Sequence, residues 1–80
     1  MPDIKRLRWQ CWRGVKELDV ILSAYLELEY IAATAVEQRA FVALLELEDD
    51  KLLAYFFLNN EPEMDDLRGI VAKIRTTFIN

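Results

Sequence analysis

The sequence predicts an all-α fold: a single small domain over residues 1–80, arranged as a compact five-helix bundle. Three observations carry that expectation. Apolar residues recur every three to four positions along most of the chain, the spacing of one helix face. Strand signals are missing, because no alternating run is bounded by turn residues and the chain has only two glycines and two prolines. At 54% hydrophobic, the chain is also rich enough to build a core without staples.

Each helix has its own justification. At about 100° per residue, Ile4, Leu7 and Cys11 share one arc, giving a short first helix that ends near Gly14. In the second, Leu18, Ile21, Leu22, Tyr25 and Leu28 share a face, and Lys16, Asp19, Ser23 and Glu27 share the other. That is an amphipathic helix of about four turns. Thr34-Ala35-Val36-Glu37 is a capping box: the threonine hydroxyl accepts from the amide of residue 37, and Glu37 reaches back to the amide of residue 34. It starts a third helix with Phe41, Leu44 and Leu45 inward. Asp49 or Asp50 caps a fourth, KLLAYFFLNN, whose nearly all-round apolarity predicts the most buried helix. Asn59, Asn60 and Pro62 end it. Asp65 or Asp66 caps a fifth, in which Leu67, Ile70, Val71, Ile74 and Phe78 keep helical spacing.

Charge is sharply partitioned. Residues 1–16 sum to +4, residues 17–66 to −11 and residues 67–80 to +3, for a net −4. A basic first helix on an acidic body suits a partner with an acidic surface and disfavours bulk nucleic-acid binding. The N-terminus lacks the apolar run of a signal peptide. The densest apolar stretch, LLAYFFL at 52–58, falls short of the roughly 18 residues of a membrane-spanning helix. A cytoplasmic chain without membrane insertion is expected, and one lone thiol, Cys11, fits a reducing compartment.

The composition removes most enzyme chemistry. With no histidine, the commonest general base is absent and the usual Ser or Cys triads cannot be assembled. No His-containing metal site can form. Gly14 and Gly69 stand alone, so no phosphate-cradling loop is present. The paired carboxylates, Glu27 with Glu29 and Asp49 with Asp50, read as solvated faces and helix caps. Cys11 lies on the apolar arc and reads as core.

The first helix says more. Trp9 falls among Lys5, Arg6 and Arg13, on the basic side, whereas Trp12 lies at the edge of the apolar arc and reads as core. A tryptophan flanked by arginines has the composition of an interface hot spot, where truncation costs about 2 kcal/mol or more. The alternative is that Trp9 packs under a neighbouring helix with the arginines snorkelling round it. Gly14 likewise has two compatible readings. It can end the first helix in a left-handed conformation that costs other residues about 1–2 kcal/mol. It also leaves a spot without a side chain between Arg13 and Glu17, where a partner's backbone could approach closely.

These residues also resemble a known family. Arg13-Gly14-Val15-Lys16-Glu17 matches the RGxxE motif of the SdhE family, the FAD assembly factors of succinate dehydrogenase, whose mitochondrial relatives share it. Trp9 precedes the glycine by five places, as is usual there. Phe41, Leu44, Leu45 and Glu46 match an F-x-x-LLE segment, and Asp49 opens a stretch similar to the family's D-x-D-L-x-x-W. Trp12 stands where relatives usually carry a basic residue, Tyr55 takes the place of a common tryptophan, and Asp50 that of a frequent proline.

The resemblance implies a small helical chaperone that is not itself an enzyme. It would bind the flavoprotein subunit of succinate dehydrogenase, and in some bacteria that of fumarate reductase. There it would promote covalent attachment of FAD to a histidine of the client and then leave. FAD would be held by the client, with no cofactor bound tightly by this chain. Arg13, Gly14 and Glu17 would sit against the client, and Arg6, Trp9, Val15 and Asp19 would extend the footprint. The chain itself would be a monomer or weak dimer. The rival expectation is a small helical regulatory module, antitoxin-like, that binds protein or nucleic acid. Against the nucleic-acid form stands a pI of about 4.7.

Overall fold

Helix α2 (Lys16–Tyr25) forms the centre of the molecule, because its apolar face is met from several sides. The computed structural model describes residues 3–79. Before α2 comes α1 (Ile4–Cys11), and after it α3 (Ala35–Leu45), α4 (Asp49–Phe57) and α5 (Asp65–Ile74). Two of these helices run on in wider turns, α2 through Leu26–Tyr30 and α5 through Arg75–Ile79. Among the described residues there are five helices and no strand, as expected.

Helix α2 packs on α1, on α4 and on the C-terminal turn, while α3 pairs with α5 and touches α1. The body measures 31 × 27 × 22 Å. Its core is apolar throughout: Leu18, Leu22 and Tyr25 of α2, Phe41 and Leu44 of α3, Leu52 of α4 and Ile74 of α5 are fully buried. Phe41 sits between two tyrosines, with ring centroids 4.4 Å from Tyr25 and 5.8 Å from Tyr30, in the tilted geometry aromatic pairs prefer. The inward faces expected for α1, α3 and α5 are all present. Cys11 is buried as a core residue, and burial pushes its thiol up to about 11, so it is an inert group at neutral pH.

Three expectations about burial are corrected. Leu28 is not on the apolar face but 69% exposed. Beyond Tyr25 the helix switches to i→i+5 bonding, so the next inward positions are Leu26 and Tyr30, and Leu28 swings outward. Trp12 is not core but 68% exposed. The helix has stopped at Cys11, and the extended backbone of Trp12 (φ −84°, ψ 101°) carries its side chain off the arc. Helix α4 is not the most buried: only Leu52 and Phe56, four apart, are buried, Leu53 and Tyr55 pack half-buried against the core, and Phe57 and Leu58 reach the surface.

The caps differ too. Glu48 and Met64, not the aspartates, hold the N-cap positions of α4 and α5, and neither makes a side-chain cap bond. Asp49, Asp50, Asp65 and Asp66 lie in the first turns, where the helix dipole favours carboxylates. At α3 the hydroxyl of Thr34 does accept from the Glu37 amide at 3.2 Å. The Glu37 carboxylate, however, accepts from the Tyr25 hydroxyl at 2.6 Å and from Lys73 Nζ at 2.9 Å, tying α2, α3 and α5 together.

Candidate functional site at the turn between the first two helices

Asp3 caps α1, its carboxylate accepting from the Lys5 amide at 3.0 Å. The helix then turns its basic and aromatic side outward. Arg6 is exposed and Trp9 is 76% exposed, which decides the question left open for that tryptophan. Trp9 and Trp12 with Lys5 and Arg8 line a shallow hollow of about 210 Å³. Arg8 is spoken for: its Nε donates to Glu27 Oε1 at 2.7 Å, and this bond holds the Glu27 carboxyl below its ordinary range.

The chain leaves α1 with the Trp12 amide donating to the Trp9 carbonyl at 3.1 Å. It reverses at Gly14, whose φ of +79° is in the left-handed region. The reversal comes three residues after the last residue of α1, so Gly14 shapes the connection and does not cap the helix. Val15 is half-buried against the core and holds the N-cap position of α2, its carbonyl accepting from the Asp19 amide at 2.9 Å. The Asp19 carboxylate reaches back across the turn to accept from the Arg13 amide at 2.6 Å.

Arg13 faces inward. Its Nε donates to Asp49 Oδ1 at 2.8 Å, and its Nη1 to the carbonyls of Gln10 at 3.1 Å and Leu45 at 2.7 Å. Its Nη2 donates to the Leu47 carbonyl. The carbonyls of Gln10 and Leu45 belong to the last turns of α1 and α3, which have no partners within their own helices. One planar guanidinium thus fastens the ends of α1 and α3 and the start of α4, with its side chain only 14% exposed. Sequence reading placed Arg13 on the surface beside Glu17; the fold turns it away from Glu17 and into the body.

What remains outward is Gly14, Glu17, Arg6 and Trp9, while Arg13, Val15 and Asp19 build the turn that presents them. A Cβ placed on Gly14 would meet nothing within 4 Å, so the space above it is open. Glu17, in the first turn of α2, makes no ion pair among the described residues. Asp49 was missed as part of this arrangement. It stood in the sequence as one of a pair of helix-start aspartates, and nothing local marks it as the counter-ion of an arginine 36 residues away. Among the described residues no cluster of carboxylates and thiol has the form of a metal site. None of their helices is long and apolar enough to cross a membrane.

A family profile described as the flavinator of succinate dehydrogenase matches residues 5–78. The chain belongs to that family. Its relatives include proteins named FAD assembly factor SdhE. That of Psychrobacter arcticus is 40% identical over 72 residues, covering 90% of this chain and 77% of the relative. That of Pseudomonas aeruginosa is also 40% identical, with 90% and 86% covered. The protein of Pectobacterium atrosepticum is 32% identical over 71 residues, with 89% and 81% covered. The family match includes α1 from its second residue, the Gly14 turn and the whole of α2, so the turn described above lies within family sequence.

Proposed function

We propose that this chain binds the flavoprotein subunit of succinate dehydrogenase at the Gly14 turn and the first turn of α2, and so promotes covalent attachment of FAD to that subunit. The observation that carries this reading is an open, side-chain-free glycine beside an exposed carboxylate, held on a tightly fastened turn, in a member of the flavinator family. Gly14 lets a client backbone approach closely. Glu17 offers the client a charge-assisted hydrogen bond. Arg13 and Asp19 are positioning residues: they keep the turn rigid, so the docking surface is ordered before the client arrives. Arg6 and Trp9 extend the footprint along α1.

Flavin chemistry belongs to the cofactor, and a protein promotes it by holding conformation, charge and water in place. FAD and the residue that receives it both lie in the client. The factor therefore needs neither a catalytic side chain nor a tightly bound cofactor of its own. The same reading has it acting in the cytoplasm as a monomer or weak dimer, with the fumarate reductase flavoprotein as a further client.

The test is in-gel flavin fluorescence of the denatured succinate dehydrogenase flavoprotein, from cells with and without this gene. Fluorescence is expected to drop on deletion and to return with the wild type but not with Glu17→Ala. Unchanged covalent flavin on deletion would overturn the proposal.

A further inference from the structure

Next to Glu17 lies an open-sided cleft of about 470 Å³. Its walls come from three parts of the chain: Lys16, Glu17 and Val20 on α2, Phe57 at the end of α4, and Phe78 and Ile79 in the C-terminal turn. Val20 and Phe57 are 59% and 41% exposed, so the floor is apolar and open to solvent. The rim is charged, and among the described residues neither Lys16 nor Glu17 takes part in a salt bridge. An occupant that fits brings three things: a bulky apolar side chain for the floor, a cation for Glu17, and a carbonyl or carboxylate for Lys16.

Resting on the reading that the chain binds the flavoprotein subunit, we infer that this cleft takes a segment of that subunit. In that segment a large aliphatic or aromatic side chain stands beside an arginine or lysine. Charge decides against two other occupants. A second copy of this chain would set its own −11 over residues 17–66 against the same −11 of this chain. A nucleic acid would bring its phosphates to Glu17 and to that acidic segment. The cleft thus adds an anchoring pocket to the Gly14 turn, and specificity for the client comes from the pair.

The experiment uses the purified apo-flavoprotein subunit as the probe and measures its affinity for the full chain. Val20→Glu and Phe57→Ser each alter an exposed side chain, and thermal melts confirm folding. Each is expected to weaken binding about tenfold or more, as for an interface anchor. Leu28→Glu, an exposed leucine outside the cleft, is expected to leave affinity unchanged. Glu17→Gln is expected to weaken binding and flatten its salt dependence. A photo-reactive residue at position 20 is expected to cross-link to a client segment containing arginine or lysine.

Unchanged affinity in both cleft variants, while Gly14→Arg abolishes binding, would overturn the cleft and leave the Gly14 reading standing. Cross-links to a second copy, to a client segment lacking a cation, or equal loss in Leu28→Glu would also overturn it. No binding by the wild type would overturn the functional reading itself.

Discussion

Arg13 is the residue whose meaning changed most between sequence and fold. Read locally, it is a basic side chain next to a glycine, with Glu17 four places on. In the folded chain three of its four side-chain acceptors are 32, 34 and 36 residues away, at Leu45, Leu47 and Asp49. No periodicity reports contacts of that range. Because hydrogen bonds to charged groups contribute about 1.5–3 kcal/mol, Arg13→Ala is expected to lower stability by about 2–3 kcal/mol, measured by urea unfolding. Arg13→Lys should recover less than half of it, since an ammonium lacks the planar fork that reaches three helix ends. A loss under about 0.5 kcal/mol, the size of an ordinary surface change, would contradict the fastening role. Gly14 was legible, because a lone glycine between two strongly patterned segments asks for a positive φ. With open space above it, a side chain at Gly14 meets only the conformational cost of about 1–2 kcal/mol. Gly14→Arg therefore stays folded, and its effect on a client is one of contact.

At the scale of the element, helix existence and facing were readable while helix ends were not. The stripe Leu18, Ile21, Leu22 and Tyr25 follows from spacing alone, and all four are buried. The wide turn that buries Leu26 and Tyr30 does not follow, because it arises where both must pack while the backbone exchanges i→i+4 for i→i+5 bonds. Helix α4 shows the limit of composition. An apolar helix is buried only where neighbours exist to cover it, and α4 packs chiefly on α2. Its end is closed by Asn59 at φ 60°, with the amides of Leu58 and Asn60 both donating to the Ala54 carbonyl. Helix α5 offers a test of local physics. Gly69 sits mid-helix and exposed, with nothing within 4 Å of where a Cβ would lie. Gly69→Ala is expected to stabilise the protein by about 0.5–1 kcal/mol, through helix propensity and a less flexible unfolded chain. Thermal or urea unfolding measures it, and a destabilised Gly69→Ala would mean that this site carries packing the fold does not show.

For the whole molecule, the polar tie across α2, α3 and α5 sets the pH dependence. Burial raises the Glu37 carboxyl, but the hydrogen bonds from Tyr25 and Lys73 outweigh it, so its pKa lies below the ordinary 4.5. A depressed carboxylate stabilises the fold above that ordinary value, and the contribution is lost as pH falls through the folded one. Lys73 is shifted above its ordinary 10.5, chiefly by its bond to Glu37, so its contribution is present below that value and lost as pH rises through the folded one. Unfolding midpoints in urea should therefore fall at both extremes, and Glu37→Gln should flatten the acid limb. An acid limb equally steep in that variant would assign it to other carboxylates. The sequence by itself determined the helical class, the inward stripes, the acidic body with its basic first helix, and the glycine turn with its family motif. All of these rest on spacing, composition or identity within a few residues. Only the tertiary structure decided that Arg13 faces inward, that both tryptophans face outward, and that three separated segments leave an apolar cleft beside Glu17. The physical reason is that hydrogen-bond partners and solvent exposure are set by which helices meet, and neighbours along the chain do not encode that meeting.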